Sequence, residues 1–364
     1  MAVGFGVGVP AGGAGGGGDG RVTSGERSID PTALAGAMLA VGERAYRVVR
    51  PIAMGGFSVV YLARRSDPVG RESDREVAVK VLDLPHLHER LREGPPAFVD
   101  PDAPLAQQMA EVRERFVNEA HLLRQLRHPN IVAALDEGVL PGPRGRAPFF
   151  VMEYVPGADV GEIVRRRGAL DWPAALAIVG ALLSALAYLE REGVMHRDVK
   201  AANLLVRPSA GAAPAAGDVR LIDFGLATAM RRVPRRSQVL FRHEVATRPG
   251  MLWGTLAWCP PERLAPFLAG DVEVPDVQVD LWGAGLVLYL CLTGVQPFER
   301  GRFATDVEQF GALVEGRYPR PRELRPSLTA AQEGVLLRAL APRPADRFRD
   351  ANEFLAALRE AAPG

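Results

Sequence analysis

Two hydrophobic periods alternate along this chain, and together they predict where strands give way to helices. Tyr46-Arg47-Val48-Val49-Arg50 and Ser58-Val59-Val60-Tyr61-Leu62-Ala63 read as two strands joined by a glycine-bearing turn, hence a hairpin. Glu76-Val77-Ala78-Val79-Lys80-Val81-Leu82 alternates strictly, with Val77, Val79 and Val81 on one face and Ala78, Lys80 and Leu82 on the other. That pattern leaves Lys80 half-buried on a strand. Phe149-Phe150-Val151-Met152-Glu153-Tyr154-Val155 is a further strand, broken by Pro156-Gly157. From Val112 the period lengthens: Val112, Phe116, Leu123 and Leu126 recur at helical spacing, and Glu119 lies on the same apolar stripe. A carboxylate facing inward needs a cation.

Beyond Pro156 the pattern is mainly helical. Pro173 opens a long helix with Leu176, Val179, Leu183, Leu186 and Leu189 on one face. Residues 281–292, Leu281 to Leu292, are apolar on every side and predict a buried core helix, since a bilayer span needs about 20 such residues. Three stretches lack a period. Half of the first 20 residues are glycine, and residues 1–42 read as a disordered tail. Residues 85–104, with five prolines, read as a long loop, and 207–218 as a flexible excursion before the short strand Val219-Arg220-Leu221-Ile222.

Composition narrows the class. A chain of 364 residues with 48% hydrophobic content can bury a large core, and a net charge of +1 argues against a nucleic-acid binder. Cys259 and Cys291 form neither a disulfide framework nor a metal-ligand spacing, and no secretory signal stands at the N-terminus, so the expected setting is cytoplasmic. No sensor domain is expected to follow Gly364. Lysine use is unusual: of 44 basic residues only Lys80 and Lys200 are lysine. A compact ammonium and a planar guanidinium are not interchangeable at a phosphate, so two retained lysines suggest chemical need.

Lys200 falls inside a polar cluster set between short apolar runs, Val194-Met195-His196-Arg197-Asp198-Val199-Lys200-Ala201-Ala202-Asn203-Leu204-Leu205-Val206. Asp198 can accept a hydroxyl proton, Lys200 can neutralise phosphate oxygens, and the Asn203 amide oxygen suits a hard divalent cation. The cluster resembles the H-R-D-x-K-x-x-N catalytic loop of eukaryotic-type serine/threonine protein kinases at every specified position. Asp223-Phe224-Gly225, behind an apolar strand, matches that family's D-F-G, and Val77-Ala78-Val79-Lys80 its V-A-I-K. The turn from Ile52 to Val60 resembles the glycine-rich loop with a departure: Gly55 stands at the middle glycine, but Ala53 and Ser58 stand at the first and third. Gly254-Thr255-Leu256-Ala257-Trp258-Cys259-Pro260-Pro261-Glu262 resembles the end of the activation segment, with Pro260 for the usual alanine of A-P-E.

The resemblance implies an α+β, two-lobed protein kinase fold: a small, mostly β N-lobe at 43–154 with one main helix, a larger, mostly α C-lobe at 155–358, and a tail at 359–364. It implies Mg²⁺- (or Mn²⁺-) dependent transfer of the ATP γ-phosphate to serine or threonine hydroxyls of protein substrates, with autophosphorylation. Asp198 and Lys200 would act at the transferred group, and Asn203 and Asp223 would hold the metal. Lys80 would pair with Glu119 and orient the nucleotide phosphates. Ile52, Ala53, Met54, Gly55, Gly56, Phe57, Ser58, Val60, Ala78, Lys80, Glu153 and Val155 would line the nucleotide site, with Met152 at its back. Glu262 would pair with Arg347, and Asp280 would brace the catalytic loop. The alternative is a nucleotide-binding scaffold that no longer catalyses, motivated by Ala53, Ser58 and Pro260. Arg231, Arg232, Arg235, Arg236, Arg242 and Arg248, together with Arg197, form a basic group that a phosphate on Thr247 or Ser237 could gather.

Overall fold

The computed structural model describes residues 33–66, 72–94, 99–142, 145–208, 214–225, 228–229, 257–264 and 277–362. The chain divides into two compact units, Met1–Glu93 with Leu135–Tyr154, and Gly94–Ala134 with Val155–Gly364. The first is rich in strand and the second in helix.

The first unit is built on a six-stranded sheet. Its strands are β1 (Met38–Val41), β2 (Arg44–Met54), β3 (Ser58–Ser66), β4 (Glu72–Leu82), β5 (Ala134–Gly142) and β6 (Gly145–Glu153), in the spatial order β1-β2-β3-β4-β6-β5. The predicted strands at Tyr46, Ser58 and Glu76 lie within it, and the one at Phe149 does so as far as Glu153, two residues short of its expected end at Val155. Alternation decides its faces: Tyr61, Val77, Val79 and Val151 are each no more than 1% exposed. On the opposite face, antiparallel pairing sets Val60 against Lys80 and Ala78 against Met152.

Two expectations need correction here. Order begins before the expected boundary at residue 43, because β1 pairs with β2 through a two-residue turn whose Gly42 takes a left-handed φ of 57°. Leu39 drives the pairing: it is 2% exposed and stands opposite Tyr46. The stretch expected as a loop from 85 to 104 opens instead as α1 (Leu84–Glu93), which buries Leu84, Leu87 and Leu91 at helical spacing. Pro85 misled the reading, for a proline in the first turn removes no intrahelical donor.

The second unit holds α2 (Leu105–Gln125), α3 (Val160–Arg167), α4 (Trp172–Arg191), α5 (Pro261–Leu264), α6 (Val277–Thr293), α7 (Asp306–Glu315), α8 (Pro321–Leu324), α9 (Ala330–Ala339) and α10 (Ala351–Glu360). Short strands β7 (Ala158–Asp159), β8 (Val194–Met195), β9 (Leu204–Val206), β10 (Val219–Leu221) and β11 (Thr228–Ala229) form two small sheets, β10-β9-β7 and β11-β8. Thus the predicted excursion after Val206 returns as a strand beside the one it left, while residues 209–213 lie outside the described set. Helix α2 starts seven residues before Val112, and α10 continues past Leu358, the expected end of the lobe.

Helix α4 is the core element. Asp171 caps it by accepting the Ala174 N–H, Pro173 sits in its first turn, and its apolar face packs on α6 and α10. By length and composition α4 could cross a bilayer, but 67% of its apolar window is buried inside the protein. Helix α6 is apolar all round and buried along nearly its whole length, as its sequence predicts. Among its buried residues are two polar exceptions, Gln278 and Asp280, and Asp280 is what positions the site.

Candidate active site

Helix α4 ends at Arg191 with Glu192 as its C-cap, and a left-handed Gly193 (φ 68°) turns the chain into β8 and then into the segment from His196 to Asn203. Asp280 of α6, 4% exposed, accepts the backbone N–H of His196 at 2.8 Å and of Arg197 at 2.7 Å. Burial pushes the Asp280 carboxyl above its ordinary range, while the nearby His196 and the two N–H donors pull the other way. One turn further along α6, a Cβ on Gly283 would stand 2.5 Å from the Val199 carbonyl oxygen, so only glycine lets the loop lie this close. The loop is therefore clamped to a rigid helix by one carboxylate and one missing side chain.

His196 is fully buried and links the loop to the strand that precedes Asp223. Its Nε2 lies 3.2 Å from the Ile222 carbonyl, which can only accept, so Nε2 carries the proton and Nδ1 accepts the Asp198 N–H at 3.3 Å. Its ring meets Phe224 edge-on, 4.6 Å between centroids. Arg197 (φ 66°) and Asp223 (φ 63°) are the non-glycine residues in left-handed conformation among those described. Such strain persists only where the surroundings over-determine it, and it clusters at functional sites.

The candidate reacting groups sit on this frame. Lys200 Nζ donates to both Asp198 oxygens, at 3.0 and 2.8 Å, and both side chains reach solvent in part. Buried Asn203 donates through Nδ2 to the Asp198 carbonyl at 2.8 Å and to Asp198 Oδ2 at 3.0 Å. That fixes the amide's orientation and leaves Oδ1 as its acceptor end. The Ile222 N–H donates to the Asn203 carbonyl at 2.9 Å, tying the two halves of the site. Asp223 is exposed, whereas Phe224 beside it is 1% exposed and gives its N–H to Glu119 Oε1 of α2 at 3.2 Å. Glu119 is thus buried on the apolar stripe where the helical period puts it. Its expected partner, Lys80, belongs to the first unit.

In that unit Lys80 lies half-buried on β4 with Nζ 5.7 Å from the centre of the Phe150 ring. Val60, Ala78 and Met152 share its face of the sheet by register. The β2–β3 turn is open: Gly55 N–H donates to the Ser58 carbonyl at 2.7 Å, and Met54 is 67% exposed. Ser58, at the third glycine position, is buried in the pairing with Leu82, so its side chain packs. Glu153 ends β6 and Val155 opens the second unit.

Among the described residues no three of His, Cys, Asp and Glu gather as a metal cluster. Asn203 and Asp223 offer two oxygen donors, which fits Mg²⁺, a cation bound through one or two carboxylate or amide oxygens with phosphate and water completing its shell. Away from the reacting groups, Glu262 and Arg347 form a bidentate pair, 2.8 and 2.6 Å, with side chains 5% and 0% exposed. The Arg347 guanidinium lies 4.7 Å from the Trp282 ring centre of α6. Thr255, Thr247, Ser237 and the arginines from Arg231 to Arg248 lie outside the described residues.

Sequence reasoning overlooked Arg115, one turn before Glu119 on α2. Burial pushes its pKa down, Glu111, 3.7 Å away, opposes this, and the charge of Arg197 adds to the lowering. The spacing from Glu119 is the signal that could have found it.

Residues 46–355 match the family described as Protein kinase domain. Serine/threonine-protein kinase PknJ of Mycobacterium tuberculosis is 32% identical over 321 residues, 88% of this chain and 46% of PknJ. Tyrosine-protein kinase MasK of Myxococcus xanthus is 32% identical over 325 residues, 86% of this chain and 42% of MasK. Serine/threonine-protein kinase PknB of Mycobacterium tuberculosis is 30% identical over 313 residues, 86% of this chain and 42% of PknB. The chain spans somewhat under half the length of these curated relatives.

Proposed function

The chain belongs to the protein kinase family, and on that premise we propose that it is a Mg²⁺-dependent serine/threonine kinase that transfers the ATP γ-phosphate to protein hydroxyls and to itself. One observation carries the reading: a part-exposed Asp198 carboxylate whose two oxygens are both met by Lys200 Nζ and which Asn203 holds in place. Asp198 orients the acceptor hydroxyl and takes its proton, and Lys200 moves its charge toward the phosphate oxygens as they approach. Mg²⁺ supplies positive charge to the phosphates, and Asn203 Oδ1 with the Asp223 carboxylate would hold it. Lys80 and Glu119 serve the nucleotide in this reading.

Because MasK carries the name of a tyrosine kinase, acceptor choice rests on this chain's own Lys200, two residues after Asp198, together with Thr255, which lies outside the described residues. Arg197, with the arginines from Arg231 to Arg248, forms the basic group that would receive a phosphate on Thr247 or Ser237 and order that segment. Two buried free cysteines, Cys259 and Cys291, support a reducing, cytoplasmic setting.

Incubation of the purified chain with Mg-ATP, followed by mass-spectrometric site mapping, tests transfer, acceptor type and regulation together. Phosphoserine or phosphothreonine, lost on chelation of the metal, is expected. Phosphotyrosine as the main product, or nucleotide binding with no transfer, would reject the reading.

A further inference from the structure

Strands β2 and β5 are separated by three others in the sheet of the first unit, yet the sheet curls enough to join them. Asp136 of β5 accepts from Arg44 Nη1 of β2, at 3.0 and 3.1 Å, and from the Tyr46 hydroxyl. Beside this contact lies an open recess of about 410 Å³, solvent included, lined by Arg44, Tyr46, Arg65, Arg75, Val77 and Leu135. Register accounts for most of the set. Tyr46 stands opposite Arg65 and Ala63 opposite Val77, while Arg44 and Arg75 lie two residues before Tyr46 and Val77, so these side chains share one face. Ala78 and Lys80 belong to the other face of β4, and so does Glu76, which Arg64 meets at 3.9 Å.

Among the described residues the lining holds three guanidiniums and no carboxylate. Asp136, 8% exposed, stands behind it with its oxygens turned to Arg44 and Tyr46. Tyr46 adds no charge: burial, then its bond to Asp136, push its pKa up to about 12, and Arg65 is near enough to pull the other way. Val77, 1% exposed, gives the recess an apolar floor, and Arg44 and Arg75 are exposed at its rim. We propose that this recess binds a phosphate monoester dianion, its oxygens held by Arg44, Arg65 and Arg75 and its organic part set on Val77 and Leu135. Each guanidinium presents N–H donors in a rigid planar fork that matches two phosphate oxygens, and three around one opening approach the group from several sides. Two sources carry this chemistry, a small free phosphate ester and a phosphorylated side chain. The site uses none of the residues proposed for transfer, so it stands apart from the kinase reading.

Isothermal titration of the full chain at about pH 8, where phosphate esters are dianionic, tests this with Mg-AMP-PNP present to fill any nucleotide site. The probes are inorganic phosphate and an otherwise neutral pentapeptide centred on phosphoserine, with its unphosphorylated form as control. One site with a Kd below about 1 mM is expected for at least one probe. Arg65→Gln and Arg75→Gln should each weaken it at least about fivefold, and Arg75→Lys, which keeps the charge but loses the fork, by less. Arg64→Gln, on the same strand as Arg65 but the other face, should leave it within about twofold. Tighter binding of the phosphopeptide assigns the recess to phosphorylated side chains, and equal or tighter binding of inorganic phosphate assigns it to a free ligand. The proposal is overturned if neither probe binds, or if the unphosphorylated peptide binds as well as its phosphorylated form. It is overturned too if Arg64→Gln weakens binding as much as Arg65→Gln and Arg75→Gln do, or if those two leave it unchanged, since the anion then sits elsewhere.

Discussion

The loop from His196 to Asn203 in the second unit and the glycine-bearing turn of the first are both short, and both belong to the proposed phosphate chemistry, yet they are built in opposite ways. The loop is over-determined: Asp280 takes two of its N–H groups, Gly283 admits its backbone, and His196 and Asn203 tie it to the strand before Asp223. Across the β2–β3 turn the Gly55 N–H donates to the Ser58 carbonyl, and the turn exposes Met54. Groups that must meet a developing charge gain from being fixed before the reaction, because reorganisation then costs nothing at the barrier. A cover over a nucleotide gains from compliance, because ligand must enter and leave.

The sharpest way to break the comparison is to alter charge in the fixed loop without altering its shape. Asp198→Asn should lower phosphate transfer by about 10²–10⁴-fold, the range for losing a general base, with Mg-ATP affinity little changed. Asp223→Asn should remove activity as fully but also weaken Mg-ATP binding, since a charged ligand to the cation is lost. Nucleotide titration separates them; equal Mg-ATP affinity in the two variants would strip Asp223 of its metal role.

Next in size is Lys80→Met. Activity should fall by at least about a hundredfold, some 2.7 kcal/mol of transition-state stabilisation, while the melting temperature stays within a few degrees, because the half-buried ammonium rests over Phe150 and is not part of the apolar face. A variant with near-normal turnover would remove Lys80 from the site.

Asp280→Ala should reverse that split. Two buried N–H groups would lose their acceptor, each at about 1–3 kcal/mol, so melting temperature and transfer rate should fall together. Unchanged stability, read by thermal denaturation, would show that water replaces the carboxylate and that the clamp is dispensable.

What could be read from the sequence follows the same division. Asp198, Lys200, Asn203 and Asp223 were legible because their chemistry admits few substitutes, and Lys80 stood out in a chain that otherwise uses arginine. Glu119 was legible from period alone. Features that depend on a distant partner were not: Arg75 is one arginine among many until Arg44 and Tyr46 are placed across the recess from it. Likewise β5 lacks clear alternation, and Asp136 within it is held by Arg44 at 3.0 Å and by the Tyr46 hydroxyl, some 90 residues earlier. Helix α1 was hidden by Pro85, although its three buried leucines carry the right spacing.

The smallest expected effect sharpens the comparison from the turn's side. Ser58 replaces a glycine of the usual pattern, yet it is buried in the β3–β4 pairing, and a Cβ on Gly55 would come within 3.1 Å of its Oγ. The turn has therefore exchanged some backbone freedom for strand packing. Ser58→Gly should cost about 0.5–1 kcal/mol of stability, the usual penalty for glycine in a strand, and change the KM for ATP by no more than about threefold. Gly55→Ala, which crowds Ser58 Oγ, should change it in the opposite direction from Ser58→Gly. If both variants leave the KM for ATP untouched, compliance of this turn has no part in nucleotide handling; if Ser58→Gly costs tenfold or more, the turn is as pre-set as the catalytic loop and the contrast between the two regions fails.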